Sequence, residues 1–211
     1  MSEPPHDPLR MYLVIRRNAF DDLARAGELT GAAAVRCVRE FAADPNLIAW
    51  RPRPGKVVLR ARGGQWGETL DSEAHALAGD PDGEAVIALP PRRRSERGPL
   101  LERMQAMTTD LAPPPAAKPP QPGALTYLVN PRLEMSSGKT LAQIAHAAVM
   151  AADREEFDEW VASGCPGQVL KPPQTRFDDL CRSPDLVARV EDAGLTEVPP
   201  GTVTVLALQP T

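Results

Sequence analysis

The chain has 211 residues, of which 25% are charged, 42% apolar and only 4% aromatic. This is the composition of a globular protein with one large or two small domains, not of a disordered chain. No run approaches the ~20 apolar residues that span a bilayer, and the M-S-E-P-P-H-D-P start lacks the features of a secretory leader, so a cytoplasmic protein with no membrane contact is expected. Cys37, Cys165 and Cys181 are odd in number and far apart, which points to reduced thiols and gives no metal-binding spacing. Nothing signals a cofactor. The net charge is −4; acids and bases balance up to Leu111, so the excess of acid falls on the residues from Ala112 onward.

Residues 11–16 (M-Y-L-V-I-R) form a short apolar, β-rich run and predict a buried strand. A loop or helical turn through 20–25 precedes a helix over 27–41, which Asp44-Pro45 is expected to stop. A strand over 55–61, a short helix over 68–78 and a strand over 84–89 follow. Arg92, Arg93, Arg94 and Arg97 form a basic cluster that leads into a helix over 100–108. Residues 112–123 (A-P-P-P-A-A-K-P-P-Q-P-G) exclude a regular helix or central strand, because proline fixes φ and removes donors; they read as a semi-rigid linker.

The same order then recurs: a strand over 126–129, a helix over 138–152, an acidic helix over 154–163, a strand within 165–171, a short helix over 177–182, and strands over 186–190 and 202–208. Y-L-V-I-R-R at Tyr12 lies over Y-L-V-N-P-R at Tyr127, and A-G-E-L-T-G-A-A-A-V at Ala26 over S-G-K-T-L-A-Q-I-A-H at Ser137. P-G-K-V-V-L-R at Pro54 lies over P-G-Q-V-L-K at Pro166, and G-E-A-V-I-A-L-P at Gly83 over G-T-V-T-V-L-A-L at Gly201. Four segments in one order predict an α/β fold of two tandem copies of a small mixed-sheet unit with flanking helices, arranged as a pseudo-dimer. The expected division is 10–91 for a degenerate first copy, 92–124 for the basic helix and linker, and 125–211 for the second copy. In this overlay Lys139 falls on Glu28, Gln143 on Ala32 and His146 on Val35, so the first copy carries none of the candidate groups.

Chemistry concentrates in M-S-S-G-K-T-L-A-Q-I-A-H-A-A-V-M, from Met135. Lys139, Gln143 and His146 are spaced by four and three residues, one helical face, on an otherwise alanine-rich helix. They are either satisfied core groups or a site, and a neutral core histidine is the plainer reading of His146. Lys139, at the helix start expected to face solvent, is the stronger candidate. A phosphate-cradling P-loop would need glycine at position 133, which is Leu133; an anion at the helix start remains open on dipole grounds. Asp192 follows a strand and reads alone as a turn former, while N-P-R at Asn130 and the arginine cluster read by default as solvated surface.

Two long motifs carry a resemblance. M-S-S-G-K-T-L-A-Q-I-A-H-A-A resembles the M-G-K-G-K-x-A-A-Q-x-A-H-A-A of the peptidyl-tRNA hydrolase 2 family, and D-A-G-L-T-E-V-P-P-G-T-V-T-V-L-A-L-Q-P, from Asp192, resembles its D-A-G-x-T-Q-I-x-P-G-T-x-T-V-L-A-I-G-P. The resemblance covers 125–210 and implies a mixed four-stranded sheet flanked by helices, often paired as a homodimer, that cleaves the ester joining a peptide to the 3′ ribose of tRNA. Carried over by motif position, it makes Lys139, Asp192 and Thr196 the catalytic residues and places Gln143, His146 and Thr204 beside the substrate. Asp192 would position or deprotonate a water, Lys139 would stabilise the oxyanion or hold the terminal phosphate, and Thr196 would bond the ester region. Arg92, Arg93 and Arg94 are the expected suppliers of phosphate contacts, peptidyl-tRNA is the expected partner, and a monomer or weak homo-oligomer is the expected state. The chain departs from the family at Ser137, Glu134 and Glu197, each lowering positive charge, and in a shorter helix between Lys171 and Leu186. Those departures keep a second reading in view, a catalytically weak or inactive homologue that binds a protein or nucleotide.

Overall fold

The computed structural model describes residues 7–108, 110–194 and 197–210. The first half runs β1 (Arg10–Arg16), α1 (Leu23–Glu40), α2 (Pro45–Trp50), β2 (Gly55–Ala61), α3 (Gln65–Ser72), β3 (Ala76–Gly79), β4 (Ala85–Arg92), α4 (Gly98–Glu102) and β5 (Gln105–Ala106). The second runs β6 (Leu125–Val129), α5 (Ser137–Ala152), α6 (Asp158–Ala162), β7 (Gly167–Leu170), α7 (Gln174–Leu180), β8 (Leu186–Glu191) and β9 (Val203–Leu208). Among the described residues no helix is long and apolar enough to cross a membrane.

Two mixed sheets form, with strand orders β3-β4-β1-β2-β5 and β7-β6-β9-β8. Read from its other edge, the second is β8-β9-β6-β7, the order of the first four strands of the first sheet. The pairing senses agree as well: β1–β2 and β6–β7 are parallel, while β1–β4, β3–β4, β6–β9 and β8–β9 are antiparallel.

Helices α1 and α5 lie between the sheets. Gly27 of α1 meets Ile144 and Val169, and Gly31 meets Ala148 and the Tyr127 ring, so the two helices run alongside each other in the same direction. A Cβ on Gly27 would stand 2.8 Å from Ile144 Cδ1 and 2.9 Å from Val169 Cγ2, so any other residue would push those side chains aside. The packing is reciprocal in kind, with α1 against β7 and α5 against β2. One apolar core therefore runs through both halves, from Leu13 and Val35 to Ile144 and Val205. Smaller clusters fill the outer faces, Trp66, Leu100 and Leu101 on the first sheet and Phe177 and Leu180 on the second.

Four local expectations change. Asp44 does not only stop a helix: its side chain accepts from Asn46 N at 2.7 Å and Leu47 N at 3.2 Å and so starts α2, with Pro45 in the first turn, where a missing N–H is harmless. The helix expected over 68–78 ends at Ser72, and Ala76–Gly79 pairs with β4 as a strand. The helix expected over 100–108 is the short α4, after which β5 closes the edge of β2. Tyr12 and Tyr127 are also not equivalent. Tyr127 faces the shared core beside α5, whereas Tyr12 faces the outer cluster and Leu13 takes the inner position. A one-residue slip in a strand overlay exchanges its faces.

Candidate active site

The local chain builds α5 from Ser136, whose hydroxyl accepts from Lys139 N at 3.2 Å and caps the helix. Asp192 is the first residue after β8. Its amide donates to Thr202 O at 2.9 Å and its carbonyl accepts from Gly201 N at 2.8 Å, so the hairpin backbone fixes where its carboxylate points. Oδ1 accepts from Gly194 N at 2.8 Å. Oδ2 accepts from Gln143 Nε2 at 2.7 Å and from the Lys139 ammonium. Gln143 Oε1 in turn accepts from Thr204 Oγ1 at 3.1 Å, and that hydroxyl also reaches Val190 O at 3.2 Å.

Lys139, Asp192, Gln143 and Thr204 thus form one connected polar cluster. The Lys139 and Asp192 side chains are only 13% and 5% exposed. Such burial is costly for charges unless they are paired and hydrogen-bonded, as these are. An ionised carboxylate has about four acceptor sites. The three donors named leave room for roughly one more, which suits a water aimed from Asp192.

Lys139 is not the solvent-facing group expected at the helix start; it turns inward to Asp192. The helix start itself is occupied. Glu197 accepts from Ser136 N and from Ser136 Oγ, each at 2.7 Å, and so places a carboxylate where the helix dipole favours an anion. On the other side a strap of chain, residues 107–108 and 110–112, crosses the first turn of α5. Leu111 N donates to Ser137 Oγ at 2.8 Å, and a Cβ on Gly138 would lie 2.1 Å from Met107 O. Ser137 and Glu197, two departures from the family motifs, therefore both have structural partners.

His146 stands apart. It is half-buried against the first half of the chain, where burial pushes its pKa down to about 3, the Lys56 ammonium pushes the same way and Asp192 opposes. Lys56, on β2, is lowered to about 7 by burial, against the pull of Asp153 and with the push of Arg51. Its ammonium sits 4.7 Å from the centre of the Trp50 ring. His146 is accordingly a neutral imidazole in the contact between the halves.

The structure does not bring Arg92, Arg93 and Arg94 to the cluster. Arg92 pairs with Arg10 at the opening of β1, whereas α5 begins beyond the far end of β6, and the common direction of α1 and α5 puts these at opposite ends of the molecule. Arg92 binds Glu73 at 2.8 Å, and Arg93 and Arg94 wrap Asp7. Thr196 lies outside the described residues. Sequence reasoning missed Asn130, assigned to solvated surface. It is buried at the end of β6, with Nδ2 donating to Val203 O at 2.7 Å and its amide to Thr204 O at 2.9 Å, and so holds the strand that carries Thr204.

The first half carries a counterpart of the cluster that the overlay hid. Laying Leu23 on Ser137 aligns the first residues of α1 and α5, both caps (Asp22 and Ser136, each accepting from the third residue on) and the buried positions along both helices, except that His146 is half-buried where Ala32 is buried. The overlay that put Ala26 on Ser137 is three residues out. Lys139 then matches Arg25, and Gln143 matches Leu29. Asp80 matches Asp192: it follows β3, its amide donates to Glu84 O and its carbonyl accepts from Gly83 N. The first half therefore holds a cation and an aspartate at these places, contrary to the expectation that it holds none. Arg25 is bound instead to Glu84 at 3.0 Å and Glu28 at 3.2 Å, and no glutamine links it to the hairpin.

Residues 124–211 match the family model described as Peptidyl-tRNA hydrolase PTH2. The peptidyl-tRNA hydrolase of Staphylothermus marinus is 40% identical over 94 residues, which are 39% of this chain and 78% of that protein. That of Thermococcus onnurineus is 39% identical over 89 residues, 37% of this chain and 75% of that protein. The mitochondrial peptidyl-tRNA hydrolase 2 of Bos taurus is 36% identical over 97 residues, 41% of this chain and 54% of that protein. No solved structure matches the chain. With the site residues at their motif positions and two relatives of 39–40% identity covered over 75–78% of their length, the chain belongs to the peptidyl-tRNA hydrolase 2 family.

Proposed function

We infer that the protein hydrolyses the ester between the peptide and the 3′ ribose oxygen of peptidyl-tRNA. The observation that carries this reading is the Asp192 carboxylate, nearly buried yet held on three sides by Lys139, Gln143 and the Gly194 amide, in a family whose members are named for that reaction. Asp192 orients a water toward the ester carbonyl and draws on its proton as the oxygen attacks. Lys139 supplies positive charge to the oxyanion that develops. Collapse breaks the bond to the ribose oxygen, which takes up a proton and leaves as the tRNA 3′ hydroxyl. Gln143 and Thr204 position Asp192 rather than touch the substrate. Thr196, by its motif position, bonds the ester region.

The division into units at 10–91 and 125–211, joined by 92–124, is part of the same proposal. The equal strand order, the matching helix caps and the reciprocal packing of α1 and α5 support a duplicated unit folded as an intramolecular pseudo-dimer, acting as a monomer or weak homo-oligomer in the cytoplasm. The rival reading of an inactive binding homologue is not favoured by relatives named as hydrolases. Incubation with N-blocked aminoacyl-tRNA tests the inference. Release of the blocked amino acid faster than by the Lys139→Ala, Asp192→Ala double variant is expected; equal rates overturn it.

A further inference from the structure

The first half contributes a cavity beside the cluster that no catalytic role absorbs. It has a volume of about 220 Å³ and lies where β1 and β2 end, lined by Arg16, Arg17 and Arg60 together with Asp21 and Asp110. Ile15, Asn18 and Phe20 line it as well, beside Met107 and Leu111. These last two are the residues of the strap that touch Gly138 and Ser137, so one thickness of chain separates the cavity from the turn that carries Lys139.

Arg16 and Arg17 are differently engaged. Arg16 donates to the Asp82 and Gly83 carbonyls at 2.8 and 2.9 Å, which orients its guanidinium without neutralising it. Arg17 is exposed, and its side chain has no hydrogen bond or ion pair among the described residues. Its backbone is fixed by a 2.9 Å hydrogen bond from Arg17 N to Ala61 O, and the next residue, Asn18, adopts φ 61, a left-handed conformation that turns the chain sharply after it. Three cations and two acids line the cavity, and Arg17, exposed and unpaired among the described residues, presents a positive charge that complements a phosphodiester. At the second half's own site Lys139 is paired with Asp192, and Arg132 with Asp178 at 3.2 Å.

We propose that this Arg16, Arg17 and Arg60 cavity binds a backbone phosphate of the tRNA acceptor strand, so that the first unit holds the nucleic acid while the second cleaves the ester. The proposal rests on the hydrolase reading, and on Met107 and Leu111, which line the cavity and also touch Gly138 and Ser137 and so set the arginines beside the turn that carries Lys139. It gives the first unit a purpose that does not require its own Arg25 and Asp80 to act. It also explains how a half-chain with net negative charge meets a polyanion.

The test compares Arg17→Glu with Arg94→Glu, the same charge change at the far end of the molecule. Binding of deacylated tRNA is measured across a salt series, and hydrolysis of N-blocked aminoacyl-tRNA is measured beside that of the N-blocked aminoacyl ester of adenosine, which has no acceptor strand. Arg17→Glu is expected to weaken tRNA binding about tenfold or more, to reduce the salt slope by about one, and to raise KM for the tRNA substrate with kcat and the adenosine ester unchanged. Arg94→Glu is expected to leave all of these near wild type. Equal tRNA affinity in the two variants, or equal loss on the adenosine ester, overturns the proposal. If the wild type leaves both esters intact while Arg17→Glu alone loses tRNA binding, the cavity stands and the hydrolase reading falls.

Discussion

Replacing Gln143 with leucine, the residue at the matching place in α1, removes two hydrogen bonds and leaves each former partner with another. Asp192 retains Lys139 and the Gly194 amide, and Thr204 retains Val190 O. The lost bond to a charged carboxylate is worth about 1.5–3 kcal/mol and the neutral one about 1 kcal/mol. The added apolar burial of leucine in this nearly closed position returns about 1–2 kcal/mol. The net destabilisation is about 1–3 kcal/mol, which in a chain of this size lowers Tm by roughly 2–10 °C. The Asp192 carboxylate also loses the contact that fixes Oδ2 from the helix side, and a loss of about 10- to 100-fold in kcat is expected, equal to about 1.4–2.8 kcal/mol of barrier. KM should change little, because in the proposed mechanism Gln143 positions Asp192 through its side-chain amide. Calorimetry together with steady-state hydrolysis of N-blocked aminoacyl-tRNA reads both quantities. A Gln143→Leu variant with wild-type kcat refutes the positioning role, whatever its Tm.

Three further outcomes follow from neighbouring contacts. Gly138→Ala drives a methyl group onto Met107 O, and displacing the strap should cost about 1–3 kcal/mol and lower Tm, while a Tm within 1 °C of wild type, on the scale of such overpacking, would show that the strap does not press on α5. His146 has its folded pKa lowered to about 3, so below pH 6.5 the unfolded chain takes up a proton that the native state refuses. Stability present above pH 6.5 is therefore lost as pH falls, by up to about 1.4 kcal/mol per pH unit, and urea midpoints of His146→Asn should fall less than those of wild type between pH 7 and pH 4.5. Lys56 is lowered to about 7 from 10.5, so the unfolded chain carries more charge between these values and stability rises with pH across that window. Lys56→Met should flatten the rise, and an unchanged slope from pH 7 to pH 10 would contradict the assignment.

Much of the second half was legible because its signals are local. The alternation in T-V-T-V-L-A-L marks β9, the serine before an alanine-rich run marks the start of α5, and the motifs carry Lys139 and Asp192 to places that the fold then joins. The first half was harder for identifiable reasons. Ala76 and Ala78 are buried strand residues of low β propensity, so β3 read as the end of a helix. Alanine-rich helices resemble themselves at several offsets, which let the overlay slip by three residues and set Glu28 rather than Arg25 against Lys139. In β1 the shared Tyr-Leu-Val string drew the alignment onto the wrong face. The strap over α5 depends on Leu111 meeting Ser137 and Met107 meeting Gly138, contacts between distant segments that leave no periodic trace. Nor does a run of arginines disclose which end of a sheet it will occupy, and Arg92 to Arg94 lie at the end away from α5's first turn.

In the proposed reaction Asp192, gripped by Lys139 and Gln143, directs the water that opens the ester. Single-turnover hydrolysis of N-blocked aminoacyl-tRNA by Asp192→Asn, with enzyme saturating and folding checked by Tm, tests it most directly. The amide preserves size and can still accept from Gly194, but it cannot draw on the proton of the water. A rate reduced by about 100-fold or more is expected, within the range for a positioned acid or base, with tRNA binding retained. A rate within a few-fold of wild type would contradict it and move the chemistry away from this cluster.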